Sequence, residues 1–159
     1  LTMGMQPIVG YNFGAQKIDR VKQTLKLGIV SGVVITSSGF FICELFPHAV
    51  SAIFTDSDHL IDLAVDGLRI TVIMFPFVGA QIVIGNFFQS IGKAKISIFL
   101  SLTRQLLYLL PCLLLFPNWW GLKGIWISMP VSDALAFITA VVSLIIYIKK
   151  VSKQHLIAE

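Results

Sequence analysis

One basic and one acidic residue stand where charge is hardest to keep. Arg104 lies inside the leucine-rich stretch Ile96–Phe116, and Asp133 lies inside the apolar stretch Ile125–Ile148. Each is about eight residues from one end of its stretch, roughly 12 Å deep if the stretch is helical. If the two helices run in opposite directions across an apolar layer of about 30 Å, their α-carbons differ in depth by only about 6 Å. An arginine side chain spans that gap, so the expectation is a pair, direct or through water. Two roles stay open: a buried pair can fix helix register, or it can act on an ion or solute crossing the layer.

The uncharged polar residues follow helical spacing. Gln81, Gly85 and Gln89 recur at four-residue steps with Asn86 beside them, and Ser97, Ser101, Arg104, Gln105, Tyr108 and Cys112 make a second stripe. An amide facing lipid has no partner, so the first stripe points into the bundle or a wet cavity. Interhelical hydrogen bonding, at about 0.6 kcal/mol per contact, and the lining of a solute path both remain open. Phe75, Phe77, Phe87 and Phe88 add ring faces that attract cations, although most of the chain's 12 phenylalanines must face lipid or packing neighbours. Enzyme chemistry has no such foothold. There is no H-E-x-x-H, no G-x-S-x-G and no carboxylate cluster, and His48, His59 and His155 fall in loops or the tail. Cys43 and Cys112 lie within predicted spans as packed thiols. No catalytic residue, metal ligand or cofactor is expected.

The elements that must position these residues are membrane helices. Hydrophobic residues make up 56% of the 159 and charged ones 13%, more apolar than a soluble core of this size can hide. Four mostly apolar segments, at about 27–46, 65–89, 96–116 and 125–148, each have the length that crosses a bilayer. The second begins in the outer interface, with Asp62, Asp66 and Arg69 before its apolar part. The fold class expected is all-α, a polytopic transmembrane helix bundle over residues 1–153 with a tail at 154–159. Gly28, Gly32, Thr36, Gly39 and Cys43 line one face of the first span, and Ser132, Ala136, Thr139, Ala140 and Ser143 one face of the fourth, as surfaces for close helix approach. Pro76 and Gly79 are expected to loosen the second span and Pro111 to bend the third. Glu44, near the outer end of the first span, reads as solvated.

The net charge of +4 sits in alternate connectors. Lys17, Arg20, Lys22 and Lys26, then Lys93 and Lys95, then Lys149, Lys150 and Lys153 mark one side. Pro47–Asp62 carries Asp56, Asp58 and Asp62 with no lysine or arginine, and the loop after Phe116 carries only Lys123. The positive-inside rule places the basic connectors and the C-terminus in the cytoplasm. Trp119, Trp120 and Trp126 then gather at the outer interface. The basic residues form no aromatic-rich patch on a soluble surface, so no nucleic-acid partner is expected.

Gly4, Gln6, Pro7, Gly10, Asn12 and Gly14, followed by Lys17 and Arg20, resemble the helix-to-loop signature of the multidrug and toxic compound extrusion (MATE) transporters. The order Glu44, Pro47, Phe54, Leu68-Arg69-Ile70, Pro76, Gln89, Gly92, Arg104-Gln105, Pro111, Gly124-Ile-Trp126, Pro130, Asp133 is similar to the same family's second lobe, most of all in its MepA-like branch. The resemblance covers essentially the whole chain. It implies that residues 1–16 end the eighth helix and that helices nine to twelve follow, with the first lobe lying outside this sequence; the opening at Leu1 agrees with a piece of something longer. It further implies a bacterial inner-membrane antiporter that exports cationic, amphipathic drugs or metabolites in exchange for H+ or Na+ by alternating access, with membrane lipids and the first lobe as partners. No acidic residue sits at mid-span two, where some members carry one, which tilts the expectation toward protons. A lipid-linked oligosaccharide flippase of the related superfamily is the alternative; such proteins carry more cavity cations than Arg104 alone. The path candidates are Gln81, Asn86, Gln89, Arg104, Gln105, Tyr108 and Asp133.

Overall fold

The computed structural model describes residues 2–157, with side chains through Val151. Helix α1 spans Thr2–Gly14, α2 Ile18–Leu45, α3 Pro47–Ala52, α4 Asp58–Thr71, α5 Phe75–Ser90, α6 Ala94–Leu102 and α7 Leu110–Ile157. A tight 3-10 turn, Val72–Met74, joins α4 to α5, and a wide π turn, Thr103–Leu109, joins α6 to α7. Among the described residues there is no strand. Three helical stretches, Ile18–Leu45, Asp58–Ser90 and Ala94–Val151, are long and apolar enough to cross a membrane.

The third of these folds back on itself. Gly121 has φ 54 and ψ −133, outside any helix, and a side chain at Gly124 would strike the Phe116 carbonyl. Arg104 and Asp133 are hydrogen-bonded although 29 residues apart in sequence, a separation of about 43 Å along a straight helix. The stretch is therefore a hairpin of two apolar arms, which with the other two long stretches gives four apolar helical segments.

Helix and membrane boundaries differ, for a physical reason. α2 starts at Ile18, nine residues before the apolar stretch that begins at Leu27. A helix keeps its backbone bonds in water as well as in lipid, so hydropathy marks where the membrane begins and not where the helix does. At the far end α7 likewise continues to Ile157, through most of the expected tail, while residues 158 and 159 lie outside the described ones. The outer faces invert the soluble pattern. Val34, Leu114 and Ile146 are 58%, 65% and 62% exposed at mid-helix, which water would penalise and lipid does not.

The core lies toward the basic end of the bundle. Met5, Val9, Leu25, Val83, Phe87 and Phe88 meet Leu100, Ala140 and Leu144 there, so α1, α2, α5, α6 and α7 share one apolar centre. The turns at that end repeat one device. The Lys17 N–H bonds to Asn12 O at 2.9 Å and the Gln16 N–H to Phe13 O at 3.1 Å, with Gln16 at φ 57. Likewise the Lys93 N–H bonds to Phe88 O at 2.8 Å and the Gly92 N–H to Gln89 O at 3.1 Å, with Gly92 at φ 74. Each is a Schellman cap whose last residue, a lysine, is the N-cap of the next helix.

Two expectations are corrected. Gly79 does not loosen span two; it is where α5 comes closest to α2. A Cβ there would meet Gly32 O at 2.5 Å as well as Thr36 Oγ1, so the two backbones touch. The loosening lies earlier, because Pro76 has no N–H and its ring crowds the carbonyl four residues back, and the chain tightens into the Val72–Met74 turn ahead of it. The glycine face of α2 is also shorter than its spacing implies. Gly28 and Gly32 lie against Val83, whereas a side chain at Gly39 would meet nothing within 4 Å.

Candidate functional site

The π turn places Arg104 and Tyr108 on the α6 arm of the hairpin, one turn apart, facing α7. The Leu110 N–H bonds to Gln105 O, five residues back, where an α-helix would use the fourth. Pro111 follows immediately. It cannot donate to Leu107 O and its ring crowds that carbonyl, and a widened turn upstream accommodates both effects.

Arg104 Nε donates to Asp133 Oδ1 at 2.8 Å. The pair expected from depth arithmetic is present. The Asp133 side chain is 9% exposed, while that of Arg104 keeps 34% of its surface, so the carboxylate is the desolvated partner and the guanidinium its link toward the surface. Only Nε contacts the carboxylate within hydrogen-bond range, an end-on rather than a forked contact. The terminal nitrogens of Arg104 make no hydrogen bond among the described residues.

A second link lies beside the first. The Tyr108 hydroxyl is 2.8 Å from Thr139 Oγ1, and Thr139 Oγ1 is 2.8 Å from Leu135 O. A carbonyl only accepts, so Thr139 spends its single proton on Leu135 and Tyr108 donates to Thr139. The order of the partners is informative. In an antiparallel hairpin a later residue on one arm faces an earlier one on the other, yet Tyr108 bonds further along α7 than Arg104 does. The two long side chains therefore cross in the interface. Ser128 and Ser132, both buried nearby on α7, bond to their own helix at Gly124 O and Met129 O.

The other path candidates are not drawn into this cluster. Gln81 shares the face of α5 that carries Phe77 and Phe88, and these rings pack on Phe137 and Tyr147 of α7. It is 8% exposed, and its Oε1 has no hydrogen-bond partner. Asn86 and Gln89 lie further round the helix, on a more open face with Ile82; Asn86 Nδ2 bonds back to Ile82 O at 2.9 Å, and Gln89 is exposed. Gln105 is exposed on the hairpin. Glu44, read as solvated, lies 3.8 Å from Arg69, both about half exposed, a surface pair of small energetic weight. Among the signature residues, Gly10 lets α1 approach Ser90 O, and buried Asn12 bonds to Ile8 O at 2.8 Å while its own carbonyl accepts the capping N–H of Lys17. Gly4 and Gly14 have open space beside them.

Sequence reasoning misses Thr139 and the π turn as parts of the site. Thr139 reads as one of several small packing residues, and its spacing from Asp133 gives no sign of the tyrosine. Pro111 signals a disturbed helix without saying whether it is bent, tightened or widened.

A helical bundle with open apolar faces and an ion pair joining two of its long apolar segments is the architecture of a multi-pass membrane protein. The chain belongs to the MatE family, whose model matches residues 1–114. It is similar to the multidrug export protein MepA of Staphylococcus aureus, 25% identical over 149 residues that make 93% of this chain and 32% of that protein. Among solved structures it is similar to a chain called protein A, 39% identical with a TM-score of 0.84 over 90% of this chain and 32% of that one. The inward-facing conformation of a multidrug resistance MATE family transporter of the MOP superfamily shares the fold, with a TM-score of 0.89 over 96% of this chain and 36% of that one at 19% identity. The chain thus spans about a third of the length of the relatives it matches.

Proposed function

We propose that this chain forms the larger part of the second lobe of a secondary carrier that exports cationic, amphipathic molecules in exchange for H+ or Na+. The observation that carries the reading is the open face of α5, where exposed Gln89 and half-buried Asn86 share a side of the helix with Phe75 and Ile82. Such a face suits a wet cavity shared with the first lobe, and amides with ring faces suit bulky cations that fixed charge would hold too tightly. Membership of the MatE family and likeness to a protein named for multidrug export support it. The related flippase reading draws less support: among the described residues Arg104 is the one cation deep in the bundle, and Asp133 neutralises it. The basic connectors support a cytoplasmic basic end in a bacterial inner membrane.

Dye export tests the proposal. The complete carrier, this chain joined to its first lobe and expressed in bacteria stripped of their own exporters, should lower steady-state accumulation of fluorescent cations such as ethidium severalfold, and collapse of the coupling gradient should abolish the effect. Unchanged accumulation across a panel of cationic dyes under both proton and sodium gradients refutes it.

A further inference from the structure

The basic end of the bundle holds two adjoining cavities, of about 500 and 990 Å³, that share Phe13, Gln16, Ile18, Tyr147 and Val151 as lining. Cations ring them: Lys17, Arg20 and Lys22 around the smaller, Lys93 and Lys150 around the larger. Asp19, on the smaller, is the one carboxylate lining either cavity among the described residues. The two ion pairs among the described residues involve Arg69 and Arg104, so none of these five cations is paired there. Five positive groups line one concave surface against a single carboxylate.

The wall beneath the cations is apolar and open on one side. In the larger cavity Ile96, Phe99 and Ile146 descend from the rim toward the middle of the bundle, and Phe99 and Ile146 are 56% and 62% exposed. Tyr147 stands between the two regions with its ring packed edge-on against Phe87 and Phe88, and its hydroxyl makes no hydrogen bond among the described residues. The starts of α2 and α6, whose N-cap residues Lys17 and Lys93 make no side-chain capping hydrogen bond, add to the same positive field. A soluble anion would have no use for the apolar flank. An apolar solute would have none for the lysines.

We infer that this concave surface is a docking site for an anionic phospholipid, with the headgroup phosphate between Lys93 and Lys150 near the Tyr147 hydroxyl and an acyl chain along Ile96, Phe99 and Ile146. Phosphate between two lysines at a membrane interface is favoured by about 1 kcal/mol per lysine, a joint preference of roughly ten- to thirtyfold over a zwitterionic lipid. The inference does not depend on which cargo the carrier moves or on which compartment the basic end faces.

Native mass spectrometry of the purified protein, offered equal amounts of phosphatidylglycerol and phosphatidylcholine in detergent, reads it directly. The expected result is retention of phosphatidylglycerol in roughly tenfold excess or more. Lys93→Gln with Lys150→Gln should bring the two lipids within about twofold, Lys93→Arg with Lys150→Arg should keep the preference, and Lys123→Gln at the opposite end should leave it unchanged. The arginine variant separates loss of the site from loss of the fold. Equal retention of the two lipids, or a preference that survives the glutamine pair, overturns the inference. Displacement of phosphatidylglycerol by excess inorganic phosphate also overturns it, since the site would then recognise a free anion and the apolar flank would count for nothing.

Discussion

The α2–α5 seam and the α6–α7 hairpin are both antiparallel pairs of membrane helices, and they are held by opposite means. In the seam, Gly28, Gly32 and Gly79 remove side chains until backbones touch, and Val83 fills what is left. In the hairpin, Arg104 and Tyr108 extend long side chains across the gap to Asp133 and Thr139, from a turn whose hydrogen-bond ladder is widened. Lipid drives helix association weakly, because chains and side chains are equally apolar, so contact must come from close packing or from polar links. The first tolerates almost no displacement, since dispersion falls off within an ångström. The second is directional, and it can exchange partners with water or a solute. The seam is suited to hold the lobe rigid and the hairpin to adjust.

The largest effect should come from filling the seam. A methyl group at Gly79 collides with the Thr36 hydroxyl and with the Gly32 backbone, which cannot rotate away; Gly79→Ala is expected to cost about 2–3 kcal/mol. Gly85 lies six residues on in the same helix, and a Cβ there would meet nothing within 4 Å, so Gly85→Ala should be neutral or gain up to about 1 kcal/mol from helix propensity. Unfolding of the two variants in detergent measures the contrast. Equal stabilities would break the claim that backbone contact holds the seam.

Next in size is the hairpin pair. Asp133→Ala strands a guanidinium, and because Arg104 is a third exposed the cost should be about 2 kcal/mol, below the roughly 3–5 typical of a fully buried pair. Leucine at both positions should recover most of that loss, since two desolvated charges are removed together. Strict additivity of the single and double changes would show that the two side chains do not interact. If the double variant folds well but no longer lowers dye accumulation, the pair serves the transport cycle rather than the fold.

How far the sequence leads differs between these regions too. The Arg104–Asp133 pair is legible because charge inside a helix of fixed rise has a calculable depth, and two depths that nearly match in opposite helices imply a contact. The helical bundle is legible because apolar length and loop charge are global constraints. Gly79 misleads because the same residue serves flexibility and close approach, and only the neighbouring helix decides which. The partner of Tyr108 is hidden because the links cross: simple antiparallel register pairs a later residue with an earlier one, and long side chains that reach along the interface escape that rule. The Schellman caps are partly visible in Gly92, whereas Gln16 gives no hint that it adopts a left-handed backbone.

The smallest expected effect discriminates most finely between the two regions. Gln81 lies between them on the α7 side of α5, almost fully buried, with an unsatisfied carbonyl oxygen. A buried polar atom without a partner is a net cost, so Gln81→Leu, of similar volume, should stabilise the protein by up to about 1 kcal/mol in the same unfolding measurement. A loss of stability would mean that the amide has a partner, either a water molecule or a segment of a longer chain, and the α5–α7 contact would then belong with the polar hairpin. A gain in stability joined to weaker dye export would say something different: that the unsatisfied oxygen is kept for a group that arrives during the cycle, and that the dry packing begun at Gly32 and Gly79 stops at Gln81.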